Sequence, residues 1–245
     1  MKKSWIIARK DIGEAFRSRS TYLFILIMVV LTFSYVSSYN SHVKTLLAPE
    51  DIYNFSHAFL NSLAYILPMM YSIFVCSIFA NYSVIMDKAK RNIESLMSTP
   101  VSVNQIWIGK SLAVTLPSII VGISISILVY LIMNFGFVIP KTHSFIFPSA
   151  IAIVSALIVV PILVLGIVSI VIYVQLVITN PRIASLVFTA IFLLLIFGVN
   201  ALGGLGVSIN YFPLIYLGVI VVCAVVCLIL SRFLTKEKVL LSSKM

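Results

Sequence analysis

Charge is what this sequence has least of. Asp, Glu, Lys and Arg together make up 10% of the 245 residues, and apolar residues make up 61%, against about 25% and 45–50% in soluble globular domains. That balance argues against a soluble fold and for a polytopic membrane protein. Acidic residues are scarcest, seven against seventeen Lys and Arg, which leaves a net charge of +10. In a soluble chain such an excess would suggest nucleic acid as a partner; here it is what the cytoplasmic loops of membrane proteins carry. Cysteine is nearly absent too. Cys76, Cys223 and Cys227 all sit inside apolar runs. Cys223 and Cys227 share a helix face at i,i+4, but no His or carboxylate accompanies them to complete a metal-ligand set.

Catalytic signatures are missing as well. There is no H-E-x-x-H, no G-x-S-x-G, and no cluster of carboxylates within an apolar run. Gly109-Lys110-Ser111 looks like the end of a phosphate-binding loop, yet Asn104 stands where that loop needs its first glycine, and no strand precedes it. The chain is therefore expected not to be an enzyme, and to bind no cofactor itself. No Asp, Glu, Lys or Arg falls in the interior of an expected span, where ion-coupled carriers place one. The polar residues at membrane depth are Asn61, Asn81, Asn134, Gln175, Asn200 and scattered Ser, Thr and Tyr, which suit bonding between helices. His42, His57 and His143, with Met69, Met70 and Cys76 near by in sequence, show no copper-ligand spacing.

Long apolar runs are what the chain does have. Before them, residues 2–19 carry six positive charges. Within residues 4–19, Trp5, Ala8, Ile12, Ala15 and Phe16 fall on one side of a helix, while Lys10, Glu14 and Arg17 (with Lys3 just before) fall on the other. Such a helix lies in the headgroup plane. Six spans are expected, at about 22–39, 59–86, 111–135, 148–177, 185–202 and 212–231. Pro68, Pro161 and Gly166 lie inside them as candidate kinks, and Pro117 falls in the first turns of the third. Residues 183–231 form an uncharged stretch of 49 residues. A hydrocarbon core of about 30 Å needs about 20 helical residues, so this stretch holds two spans, parted by Gly203-Gly204-Leu205-Gly206 through Pro213. The expected fold is an all-α membrane protein, one domain over residues 1–245, with six transmembrane helices and an N-terminal interfacial amphipathic helix. Fifteen of the seventeen basic residues then fall on one side, all but Lys44 and Lys141. By the positive-inside rule both termini are cytoplasmic, and the chain is a multi-pass protein of the cell membrane.

One internal segment reads as soluble structure: residues 87–110, D-K-A-K-R-N-I-E-S-L-M-S-T-P-V-S-V-N-Q-I-W-I-G-K. Asp87, Lys88, Lys90, Arg91 and Glu94 put five charges into its first eight residues. The pattern predicts a charged helix that prolongs the second span as far as Met97 and stops at Thr99-Pro100, since proline lacks an N–H and disfavours helix in the residue before it. Ser102, with Gln105 three residues on, predicts a capping box that opens a second short helix.

The run from Ile93 to Ser102, followed by Gly109-Lys110, resembles the signature of type 2 ABC exporter permeases. There the loop between spans two and three reads approximately G-T-[LI]-E-x-L-L-x-T-P-[VL]-S, then an acid, then G-K. Thr179-Asn180-Pro181-Arg182-Ile183-Ala184 is similar to a turn between spans four and five of one branch, and the N-terminal helix matches that family's interfacial elbow. Arg91-Asn92 replaces the usual G-T, and Gln105 stands where an acid is common. The resemblance implies the membrane-spanning subunit of an ATP-driven exporter, paired with a second permease subunit and with separate ATP-binding subunits that carry ATP and Mg. It also implies that Asp87, Lys88, Lys90, Arg91, Glu94, Thr99, Pro100, Ser102, Gln105, Asn180, Pro181 and Arg182 contact the ATP-binding subunit. Other readings of the same residues are a stand-alone carrier or ligand-binding membrane subunit, and a scaffold that recruits a cytosolic partner without transport.

Overall fold

The computed structural model describes residues 30, 32–33, 35–44, 49–80, 83–84, 86–89, 95, 98, 101–178, 180, 183, 190, 211–234 and 239. The expected elbow helix at 4–19, most of the first span, nearly all of the fifth span at 185–202, the Gly203–Gly206 break and most of the basic tail lie outside the described residues. Within them the chain is all-helical, with no strand, and four helices are long and apolar enough to cross a membrane.

Helix α1 spans Pro49–Ala80. It starts ten residues before the apolar run that marked it in the sequence. Glu50 and Asp51 in its first turn complement the helix dipole. Ile52, Phe55 and Phe59 pack against the core, where the Tyr39 ring lies 6.0 Å from Phe55 and 5.4 Å from Phe59. The Tyr39 hydroxyl also meets the buried Ser56 hydroxyl at 2.8 Å. These contacts hold as helix a stretch whose polar residues read as a loop. Helix α2 is the single turn Met86–Ala89.

Helix α3 spans Val103–Met133. It continues through a wider π-type turn, Asn134–Val138, into α4, Ile139–Thr142. A short loop holding Pro140, Lys141 and His143 was expected over residues 136–147, between the third and fourth spans. Neither Gly136 nor Pro140 breaks the helix: the Ile139 N–H bonds to the Asn134 carbonyl across the wider turn, and Pro140, which has no N–H to give, follows directly after it. The turn comes at His143 instead, which adopts the left-handed conformation at φ 55°. Asn134 then secures the return, its Oδ1 accepting from the Ile146 N–H at 3.1 Å, while the Tyr130 hydroxyl donates to the Ile146 carbonyl at 3.0 Å.

Helix α5, Ala150–Val154, is capped by Ser149, whose backbone N–H is held by Asn61 Oδ1 of α1 at 3.1 Å. A second π-type turn, Ser155–Val159, leads into α6, Val160–Val177. Asn61 and Asn134 thus bond across helices and turns, as membrane interiors favour for amides. Helix α7, Phe212–Phe233, packs on α6 and leaves about half of its apolar side chains exposed. Gly166 of α6 admits it closely, since a Cβ there would lie 2.9 Å from Cys223 Cβ.

The most extensive contact is between α1 and α3. They run antiparallel in one register: Ser72 faces Gly122, Cys76 meets Ser118, and Ser83 meets Lys110. A Cβ on Gly122 would come within 2.6 Å of the Ser72 backbone nitrogen. Without a hydrophobic drive between helices inside lipid, such close backbone approach at small residues supplies the packing energy.

Candidate coupling interface

The charged segment between α1 and α3 is tied down at both ends. At its far end Ser102 is extended (φ −74°, ψ 150°), and its hydroxyl accepts from the Gln105 N–H at 3.3 Å. The Gln105 side chain reaches back to the Ser102 N–H at 3.2 Å. The capping box is therefore present, but the helix it opens is not short. It runs on without interruption as α3, because nothing between Val103 and Met133 breaks it: Gly109 is buried in the packing and Pro117 is accommodated within the helix.

At the near end stands an ion pair. Lys110, expected as the charged end of a loop, is wholly enclosed. Its Nζ lies 2.6 Å from Asp87 Oδ2, donates to the Ser83 carbonyl at 2.5 Å, and lies 3.5 Å from the Ser83 hydroxyl. A buried ammonium needs that satisfaction, since an unpaired charge in a low-dielectric interior is strongly penalised. Ser83 and Val84 form a wide turn just past the end of α1, and that turn presents the carbonyl to Lys110.

Lys88, next along, is buried too. Its Nζ donates to the Ile178 carbonyl, 90 residues away, at 2.7 Å. Burial pulls its pKa down to about 8. Ile178 closes α6 in an extended conformation, two residues before Asn180. The two stretches expected to contact a partner, one after α1 and one after α6, are thereby brought together. Asn180 itself is exposed, its carbonyl accepting from the Ile183 N–H at 3.1 Å.

Of the expected contact residues, Asp87 and Lys88 turn into the protein, and Ser102 and Gln105 cap α3. Lys90, Arg91, Glu94, Thr99, Pro100, Pro181 and Arg182 lie outside the described residues. Ser95 and Ser98 are exposed. Sequence reasoning missed Lys110 and Ser83 as parts of this arrangement. The signal available was a lysine at the head of an apolar run, with an acid at the end of the preceding one. Trp107, one turn into α3, adds a third tie by donating its indole N–H to the Ser169 carbonyl at 2.8 Å.

Among the described residues no three His, Cys, Asp or Glu side chains converge as a metal site would require. Among the described residues Gln175 is buried with neither amide atom partnered, and Ser72, Ser111, Thr115 and Ser155 each bury a hydroxyl without a partner. No protein-family profile, no curated protein and no solved structure matches the chain.

Proposed function

We propose that this chain is the membrane-spanning permease subunit of an ATP-driven exporter, with six spans and both termini in the cytoplasm. A separate ATP-binding subunit docks on the segment between α1 and α3. The observation that carries the reading is how this segment is anchored. Asp87 bonds to Lys110 of α3, Lys88 to the end of α6, and the capping box fuses the segment's far end to α3. Force applied to residues 87–105 would reach α1, α3 and α6 through short, buried, charge-assisted bonds. A merely solvated connection between two spans has no need of two buried lysines. The polarity follows from the distribution of basic residues, fifteen of seventeen on the side of this segment.

The buried residues hold the segment, and the partner contact falls to its remaining charges, Arg91 and Glu94 first. The test is affinity capture of the tagged full chain from its native membrane, with identification of co-purifying proteins and measurement of ATP hydrolysis in the reconstituted complex. An ATP-binding cassette subunit is expected to co-purify. Glu94→Lys is expected to weaken that capture more than tenfold, as loss of a desolvated interfacial charge contact does at about 2–5 kcal/mol. Capture without any ATP-binding subunit, together with transport by the chain alone, would overturn the reading in favour of a carrier.

A further inference from the structure

At the end of the bundle away from the charged segment, a groove of about 500 Å³ runs along one face of the helix that precedes α1, described at residues 32–33 and 35–43. Its lining on that helix is Phe33, Val36, Ser37, Asn40, Ser41 and Lys44, and Phe137 of the π-type turn closes the other side. These helix positions recur at i,i+3,i+4,i+7, so the groove follows the helix axis for about 16 Å at 1.5 Å per residue. Its chemistry changes steadily along that axis. It begins with phenylalanine and valine, passes through two serines and an asparagine, and ends on an ammonium group.

A second cation stands beside this end, outside the groove wall and bonded to one of its lining residues. Lys141, at the end of α4, donates to Asn40 Oδ1 at 3.0 Å and stands 5.1 Å over the Tyr39 ring. It lies near enough to Lys44 for the two charges to oppose each other. Lys44 and Lys141 are the two basic residues that the charge distribution leaves on this side of the protein, and the fold places them together. The side chain of Lys44 is exposed and has no ion-pair partner among the described residues. Glu50 and Asp51, the carboxylates nearest in sequence, form no part of the groove wall.

We propose that this groove binds a bilayer lipid with an anionic phosphate headgroup. The phosphate sits between Lys44 and Lys141, the glycerol region lies against Ser37, Asn40 and Ser41, and the first part of an acyl chain runs along Val36, Phe33 and Phe137. Two like charges within Coulombic reach of each other favour an anion, and the apolar continuation of the groove favours a tail on it. A phosphate alone would leave Phe33 and Val36 unused; a neutral apolar guest would leave the lysines unneutralised. The assignment goes beyond the transport reading and does not depend on it.

The test uses the full chain in phosphatidylcholine nanodiscs with a photoactivatable phosphatidylglycerol, its diazirine placed near the head of one acyl chain, and peptide mapping of the adducts. Adducts are expected within residues 33–44 and around Phe137, well above those from the matching phosphatidylcholine probe. Lys44→Gln is expected to lower them about fivefold, and the pair Lys44→Gln with Lys141→Gln to bring them to the phosphatidylcholine level, at about fivefold per interfacial lysine. Ser37→Trp, which fills the groove and keeps both charges, is expected to abolish them. Equal labelling by the two lipids overturns the proposal. So does phosphatidylglycerol labelling that survives Ser37→Trp, which would mean diffuse surface attraction. Displacement by millimolar glycerol phosphate also overturns it, in favour of a free-anion site. Lys44 is exposed, so its single variant retains the fold and keeps the test decisive if the double variant does not.

Discussion

Asp87 and Lys110, 23 residues apart in sequence, meet at 2.6 Å with the lysine wholly enclosed. Between them lies the whole charged segment, so this pair closes a loop between the single turn α2 and the long apolar helix α3. Removing one partner leaves the other charge buried and unpaired, which costs about 3–5 kcal/mol, whereas replacing both with apolar groups of similar volume is often close to neutral. Lys110→Met and Asp87→Leu alone are therefore expected to destabilise the purified protein by that amount in mixed-micelle unfolding, and the double variant to recover most of the loss. Additive losses in the double variant would show that the two residues act separately.

Lys88 gives the protein a pH signature. Its pKa falls from an ordinary 10.5 to about 8 because burial disfavours the charged form. Between those values the unfolded chain holds this proton and the folded chain does not, so stability rises with pH across the window. Below about pH 8 the group is charged in both states, and its contribution is lowest and flat. The wild-type protein is expected to gain stability from pH 8 to 10.5 relative to Lys88→Met, whose own profile subtracts the tyrosines and cysteines that titrate in the same range. Parallel profiles for the two proteins would mean that Lys88 is not buried as described.

The capping box predicts a local effect. Ser102→Ala removes the acceptor for the Gln105 N–H, and N-cap serines contribute about 0.5–2 kcal/mol. Because α3 continues for many turns beyond it, the loss is expected as faster amide exchange at residues 103–106 and not as global unfolding. Gln105→Ala should do the same more weakly. Unchanged exchange in both variants would remove the cap from the account of how force enters α3.

These features differ in how far the sequence announced them. Ser102 and Gln105 were legible because a cap is a local device, three residues long. Their helix was misjudged as short because the charged segment was taken to end at Gly109-Lys110, and only the tertiary fold shows that Lys110 is buried against Asp87. Residues 136–147 fell between two expected spans, but a π-type turn carries the helix on through Gly136 and Pro140 to Thr142. Asn61 and Asn134 were expected to bond between helices, and each holds a backbone N–H of the return from α4 to α5. Gln175 carried the same expectation, yet it has no partner among the described residues. The spacing of apolar residues reports which faces are buried, not which amide finds a mate.

The glycines of the membrane helices separate by environment. Gly122→Ala would push a methyl group into the Ser72 backbone, and overpacking of that kind costs about 1–3 kcal/mol. Gly218, in contrast, has open space where its Cβ would be. Gly122→Ala is expected to lower the thermal midpoint in detergent, and Gly218→Ala to leave it unchanged or higher. Ser72→Gly in the Gly122→Ala background relieves the hydroxyl but not the backbone contact, so it should restore only part of the loss. Full tolerance of Gly122→Ala would show that α1 and α3 are not held at this separation.

The proposed orientation stands or falls on one labelling experiment. Ser41 and Ser95 are both exposed, and they lie on opposite sides of α1, which is long and apolar enough to cross a bilayer. A single cysteine at either position is visible over a low background, because Cys76 and Cys223 are buried and Cys227 is partly so. With the basic segment in the cytoplasm, Ser41→Cys is expected to react with a membrane-impermeant maleimide on intact cells. Ser95→Cys is expected to react only after permeabilisation. Thr142→Cys, at the end of α4, should follow Ser41→Cys, since α3 carries the chain back across from the charged segment. Labelling of Ser95→Cys from outside intact cells would place the charged segment away from any cytoplasmic ATP-binding subunit, and the transport reading would fall with the topology. Labelling of Ser41→Cys and Ser95→Cys from the same side would show instead that α1 does not cross the membrane.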